Sequence, residues 1–254
     1  SSTTVYGGIL YVGSGDRNIY AFDAVTGEIL WSQNVGSRIM TTPSANEEVV
    51  AFIAQDNMVR VLDARTGKLR LDYPIGTFNG STSLEGKRLF FSDFNGSIRA
   101  IDWTQIHNPM EKMARRIRLQ MYIWGYESRP PVLKGTVWIF RRPSESFQGT
   151  PSVSGGAVYV PSSQGNLYKI SSSEGKLLWK YSMNSRVAQQ PTVYRDIVYV
   201  SDDFGKIHGV SVTTGDVVWK LTLEGVNTSS VVVAEETMFV VTNVDGKGVI
   251  RAIR

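Results

Sequence analysis

The chain has 254 residues, 42% of them hydrophobic, which suits one domain or at most two around a buried core rather than a disordered or disulfide-stapled chain. It contains no Cys and only two His, His107 and His208, at a formal net charge of +4. That composition excludes thiolate nucleophiles, thiolate-held zinc or iron–sulfur centres and any three-His metal site. No run of about eighteen apolar residues occurs, so no transmembrane helix is expected. The start, Ser1-Ser-Thr-Thr-Val5, has no charged n-region, apolar core or initiator Met and reads as a mature or trimmed end.

From the N-terminus onward the text repeats at a period of about forty residues. Asp23, Asp63 and Asp102 mark the period, and Ser171 and Ser211 continue it after a longer gap. A β-branched and aromatic segment recurs six times: Ile9-Leu-Tyr-Val12, Val49-Val-Ala-Phe52, Arg88-Leu-Phe-Phe91, Ala157-Val-Tyr-Val160, Ile197-Val-Tyr-Val200 and Thr237-Met-Phe-Val240. After each comes a turn rich in Asp, Asn, Gly and Ser, such as Ser14-Gly-Asp-Arg-Asn18, and then a second short strand, such as Ile19-Tyr-Ala-Phe22. This is the pattern of hairpin-connected antiparallel strands. Four such strands per forty residues make one propeller blade, which needs neighbouring blades to bury its faces. The predicted fold is therefore all-β, a single β-propeller domain over residues 1–254 with about six four-stranded blades.

Four of the repeats carry a sharper signature. Ala21-Phe-Asp23-Ala-Val-Thr26-Gly27-Glu28-Ile-Leu-Trp31 reads Ala-x-Asp-x-x-Thr-Gly-x-x-x-Trp. Thr66-Gly67-Lys68 keeps the middle but ends on Leu71, whereas Gly175 leads to Trp179 and Gly215 to Trp219. This resembles the tryptophan-docking repeat of the quinoprotein-like (PQQ-like) β-propeller family, over nearly the whole chain apart from one insert. The resemblance implies that Trp31, Trp179 and Trp219 stack between adjacent blades, with turns at Gly27, Gly67, Gly175 and Gly215 joining the outer two strands. A large aromatic recurring at one place in each unit independently reads as an interlocking core residue.

The family divides into quinone-dependent dehydrogenases, which bind pyrroloquinoline quinone and an ion such as calcium, and a cofactor-free branch of envelope proteins that use the propeller for docking. This chain lacks the Cys pair of the first branch and shows only six repeats. Asp16, Asp56, Asp93, Asp202, Asp203 and Asp245 all fall at the same inter-strand turn of successive repeats, where Asp bonds its own backbone. Calcium needs several oxygens converging at one point, and repeat-equivalent turns are spread out. No phosphate loop, HExxH or GxSxG elbow is present, and His208 lies in a predicted strand as a packed or surface residue. No catalytic, cofactor-binding or metal residue is assigned. The sequons at Asn79, Asn95 and Asn227 carry little weight.

The third repeat departs from the pattern through an insert at 104–135. Asn108-Pro109-Met110-Glu111 reads as an N-cap, a Pro at the first helical position and a Glu three residues after the cap. The stretch from Met110 to Trp124 then places Met110, Met113, Ala114, Ile117, Met121 and Trp124 at helical spacing, with Lys112, Arg115, Arg116 and Arg118 off that stripe. Gly125 supplies the stop, and Pro130-Pro131 prevents continuation. Between Gln105 and Arg142 there are eight Lys or Arg against two acids, a local +6 that leaves the remainder at −2. In the plainest reading the helix packs Met110, Ile117 and Met121 on the side of the propeller. In the other, Lys112, Arg115, Arg116, Arg118, Trp124 and Tyr126 contact a partner. A protein partner is expected, with an anionic membrane surface as the second partner for residues 110–126. Nucleic acid is disfavoured because no base-reading motif accompanies the charge.

The last repeat stops before any Thr-Gly-x-x-x-Trp segment, so the sixth blade is expected to be incomplete, while Thr3 to Tyr6 already matches the first strand of its own repeat. Taken together, the resemblance implies a non-enzymatic propeller that serves as a scaffold or binding module of the cell envelope, extracytoplasmic in location. The competing class is a pyrroloquinoline-quinone-dependent oxidoreductase or a propeller that binds a small ligand.

Overall fold

A computed structural model describes residues 2–78, 80–93, 96–105, 109–128, 130–147, 149–187 and 189–254, with only the backbone of 109–112. His107, Asn108 and the sequons at Asn79 and Asn95 lie outside the described residues, as do the side chains of Met110, Glu111 and Lys112. Among the described residues the strands form six four-stranded antiparallel sheets, accompanied by one α-helix.

The first sheet runs β1 (Thr4–Tyr6), β2 (Ile9–Gly13), β3 (Asn18–Asp23) and β4 (Ile29–Asn34) in sequence order. The second repeats that order with β5 (Ser44–Ala45), β6 (Val49–Ala54), β7 (Met58–Asp63) and β8 (Leu69–Pro74). The third holds β9 (Ser83–Glu85), β10 (Arg88–Asp93), β11 (Ser97–Asp102) and, after helix α1 (Pro109–Ile123), β12 (Thr136–Arg141). The fourth comprises β13 (Ser152–Ser154), β14 (Ala157–Pro161), β15 (Asn166–Ser171) and β16 (Leu177–Ser182), and the fifth β17 (Thr192–Tyr194), β18 (Ile197–Ser201), β19 (Lys206–Ser211) and β20 (Val217–Thr222).

The sixth sheet is built differently. Strand β23 (Thr237–Val244) pairs on one edge with both β21 (Val226–Asn227) and β22 (Val232–Ala234), and on the other with β24 (Lys247–Ile253). Its four strands thus stand only three deep, with β21 and β22 end to end. No described strand follows β24, and β1 stays in its own sheet beside β2.

Turn chemistry explains the repeat. The Asp23 carboxylate accepts the backbone N–H groups of Val25 at 2.9 Å and Thr26 at 2.8 Å, while Gly27 donates back to the Asp23 carbonyl at 2.9 Å. Asp63 caps Arg65 and Thr66 in the same way. Where the repeat has Ser instead, the Ser171 and Ser211 hydroxyls accept from Glu174 and Thr214, each at 3.3 Å. Asp and Ser interchange here because both offer a short acceptor to a turn N–H. Gly27, Gly67, Gly175 and Gly215 follow with φ between +69° and +80°, a backbone region that side chains disfavour. Immediately before this turn the register slips by one residue in four sheets, at Ala21/Phe22, Val61/Leu62, Lys169/Ile170 and Gly209/Val210. The slip is a β-bulge, which bends the strand and raises its twist.

The residues divide into two compact units, one of 1–75, 84–89 and 99–138 and the other of 76–83, 90–98 and 139–254. In the first unit, Tyr11, Ile19, Ala21, Ile39, Val50, Phe52 and Leu62 form a core against which Trp31 packs. In the second, Tyr159, Leu167, Val187, Val198, Val200 and Val210 form a core with Trp179 and Tyr181 against it, and Ile207, Val231 and Val240 form another with Trp219.

Within each unit two kinds of contact join one repeat to the next. Trp31 donates its indole N–H to the Ala64 carbonyl at 3.0 Å, and Trp179 donates to the Val212 carbonyl at 3.0 Å. Each ring covers the glycine of the next repeat so closely that a Cβ on Gly67 would lie 2.7 Å from Trp31, and one on Gly215 would lie 2.8 Å from Trp179. Trp219 instead packs over Gly209 of the adjacent strand, 5.6 Å centroid to centroid from Tyr199. The second contact comes from hydroxyls on the first strand of a repeat. Thr4 donates to the Pro43 carbonyl at 2.6 Å, Ser83 to Pro151, Ser152 to Pro191 and Thr192 to Val231.

Candidate functional site

The helical insert arises as its sequence predicts. α1 begins at Pro109 and ends in a Schellman arrangement: the N–H of Tyr126 donates to the Met121 carbonyl at 2.8 Å and that of Gly125 to the Tyr122 carbonyl at 3.0 Å. Gly125 takes φ +81°, which makes the stop possible. The plainest expectation for this helix is overturned. Ile117 (53% exposed) and Met121 do not pack on the side of the propeller; every residue from Met113 to Tyr126 is exposed.

Three of the predicted contact cations can be placed. Arg115, Arg116 and Arg118 are exposed on α1, and Arg118 forms a two-point ion pair with Glu127, Nε to Oε1 at 2.9 Å and Nη2 to Oε2 at 3.3 Å. That pairing raises the guanidinium pKa further above its ordinary value, and it leaves Arg115 and Arg116 as the more available charges. Trp124 and Tyr126 are 66% and 77% exposed at the helix end. The helix and its end therefore combine exposed cations, aliphatic side chains and three aromatics, Tyr122 included, with none of them buried.

The turn carboxylates do something else. Asp16 accepts the Tyr20 hydroxyl at 2.6 Å and the Asn18 N–H at 2.9 Å, which hold its carboxyl at about 2. Asp56 is raised by burial but pulled below its ordinary value by Arg60, which reaches both of its oxygens at 3.0 and 2.5 Å. Asp93 accepts the Ser97 N–H at 3.0 Å, and Asp202 accepts those of Phe204 and Lys206 together with the Ser185 hydroxyl. Asp203 pairs with Arg186 at 3.5 Å, and Asp245 occupies a left-handed turn position at φ +50°. The carboxylates of Asp16, Asp56, Asp93, Asp202 and Asp203 are thus engaged by their own turn or a neighbouring side chain, and among the described residues no group of three or more His, Asp or Glu is placed to hold a metal ion.

His208 is a packed strand residue. Its Nδ1 lies 2.7 Å from the Tyr181 hydroxyl, and burial, then Lys220, lowers its pKa. Nearby, two cavities of about 380 and 360 Å³ share Tyr199, Glu236 and Met238, and Trp219 borders the second.

Some structural residues escape the repeat reading. Trp138 is third in β12, as Trp31 is in β4 and Trp179 in β16, and it is buried. The insert separates it from its turn, which hides the match. Where Leu71 replaces the usual Trp, a buried Trp103 stands one residue after Asp102, donating to the Gly86 carbonyl at 2.9 Å beneath the Arg70 guanidinium.

Comparison with known proteins places these features. A family model described as outer membrane protein assembly factor BamB matches residues 1–70 and 123–254, leaving out Leu71, Trp103 and most of α1. BamB of Yersinia pestis is 25% identical over 182 residues, 72% of this chain and 43% of that protein. The serine/threonine-protein kinase AfsK of Streptomyces griseus is 25% identical over 178 residues, 69% of this chain and 20% of that protein. The chain thus spans less than half the length of these curated relatives. The crystal structure of BamB from Moraxella catarrhalis superposes with a TM-score of 0.72 at 16% identity, covering 98% of this chain and 70% of that one. The computationally designed Ika8 protein gives 0.73 at 14% identity, covering 100% and 70%. Both likenesses speak to the fold, a β-propeller. With its repeat, its turn-docked tryptophans and a match over most of its length, the chain belongs to the BamB family of quinoprotein-like β-propellers.

Proposed function

We propose that this propeller is a non-enzymatic docking module of the cell envelope that takes part in assembling outer membrane proteins. Its partners are proteins held by the blade-connecting turns, and the basic insert is a second contact surface. The family match supports the envelope role. The observation that carries the docking reading is chemical: the turn carboxylates that would otherwise be candidate ion ligands are engaged in local hydrogen bonds and ion pairs, while side chains such as Phe204 stand exposed beside them. Such turns present shape and fixed charge rather than a reactive group.

A photo-crosslinking residue at Arg17 or Phe204, introduced into the protein in its native host, tests this. Adducts with outer-membrane assembly components in the envelope fraction are expected. A protein found in the cytosolic fraction, or a gene deletion that leaves outer membrane protein content unchanged, refutes the reading.

A further inference from the structure

We infer that α1 is a peripheral membrane anchor that lies in the headgroup region of an anionic bilayer. This rests on the envelope reading above and names the partner of the insert. The argument starts from the helix surface. Met113, Ile117 and Met121 follow one another at four-residue spacing, and Leu119 and Ile123 form a second line at the same spacing on another side. All five are exposed. A groove on a protein partner takes up one stripe and leaves the rest of the circumference in water. The bilayer interface accommodates aliphatic side chains over a wider arc while long cationic side chains reach the phosphates.

Charge and aromatics point the same way. The segment from Gln105 to Arg142 carries +6 while the remainder of the chain sums to −2, so an anionic surface draws the insert in preference to the blades. Arg115 and Arg116 are exposed on the helix, and Trp124, Tyr122 and Tyr126 cluster at its end, where amphipathic rings suit the headgroup level. Fifteen helical residues are too few to span a bilayer, and no described helix is long and apolar enough to do so, so α1 lies along the surface.

Co-sedimentation of the 254-residue chain with phosphatidylcholine vesicles containing phosphatidylglycerol, and with pure phosphatidylcholine vesicles, is the test. Binding to the anionic vesicles alone is expected, weakening in high salt. Each basic residue near the surface is worth about fivefold in partitioning, so R115A/R116A is expected to bind about 25-fold more weakly. Trp124→Ala, which leaves the charge untouched, weakens binding at every salt concentration and keeps the far-UV circular dichroism of the parent. Equal binding to both vesicle types, no binding to either, or an R115A/R116A protein that binds like the parent overturns the inference. Cross-links from the blade turns to envelope proteins in a chain that ignores both vesicle types would overturn the lipid assignment alone and leave the docking reading standing.

Discussion

Replacing Gly67 with Ala separates the two reasons for a glycine in the Thr-Gly turn. At φ +69° a side chain costs about 1–2 kcal/mol in backbone strain. The new methyl would also sit 2.7 Å from Cε3 and 2.9 Å from Cδ2 of Trp31, well inside contact distance, and overpacking of that kind costs about 1–3 kcal/mol more. Gly27 supplies the control: its φ is +75°, yet nothing lies within 4 Å of the position its Cβ would take. Gly27→Ala should therefore lose about 1–2 kcal/mol and Gly67→Ala about 2–5 kcal/mol. Urea denaturation followed by tryptophan fluorescence measures both, and Trp31→Leu in the Gly67→Ala background should recover part of the loss. Equal destabilisation of the two glycine variants, or additivity of Trp31→Leu with Gly67→Ala, would refute the docking argument.

Three further outcomes follow from the same contacts. Asp63 is held at about 2, chiefly by Arg70, against an ordinary value of 3.8. Its contribution is present above 3.8 and lost as pH falls toward 2, so Asp63→Asn should flatten the acid limb of a stability-against-pH profile in that window. The pKa of His208 is lowered from 6.5 by burial and then by Lys220, so the fold prefers the neutral ring and loses stability as pH drops below 6.5; His208→Gln should remove that loss in thermal scans across the same range. Ser152→Ala should cost about 1–3 kcal/mol by leaving the Pro191 carbonyl without its hydroxyl donor, with faster amide exchange across β13 and β17 in hydrogen-exchange mass spectrometry as the readout.

The blades were readable in the sequence because strand alternation and the Asp-x-x-Thr-Gly turn are local, and each copy reinforces the others. Helix α1 was readable for the same reason: Pro109 and Gly125 act within one turn of its ends. The hydroxyl contacts were not, since Thr4, Ser83, Ser152 and Thr192 look like ordinary strand residues and their acceptors lie 39 or 68 residues away. The bulge before each turn was equally hidden, because a one-residue slip leaves no mark in composition. Trp103 was passed over because it takes a position where other repeats have Ala64 or Val212, an exchange of large and small that only the burial of both Leu71 and Trp103 makes plain. Helical spacing puts Met113, Ile117 and Met121 along one line of α1, but spacing alone does not say what covers them; in the structure these side chains are exposed.

The docked tryptophans also set a direction in time. Trp31 finds its acceptor 33 residues later, and Trp179 finds its own at the same interval. On a ribosome adding about 5–20 residues per second, each indole therefore waits a few seconds for the stretch of chain that will cover it. The second repeat thus shelters a tryptophan of the first, and the fifth one of the fourth, so in a growing chain each of these two indoles stays bare until the following repeat has been made.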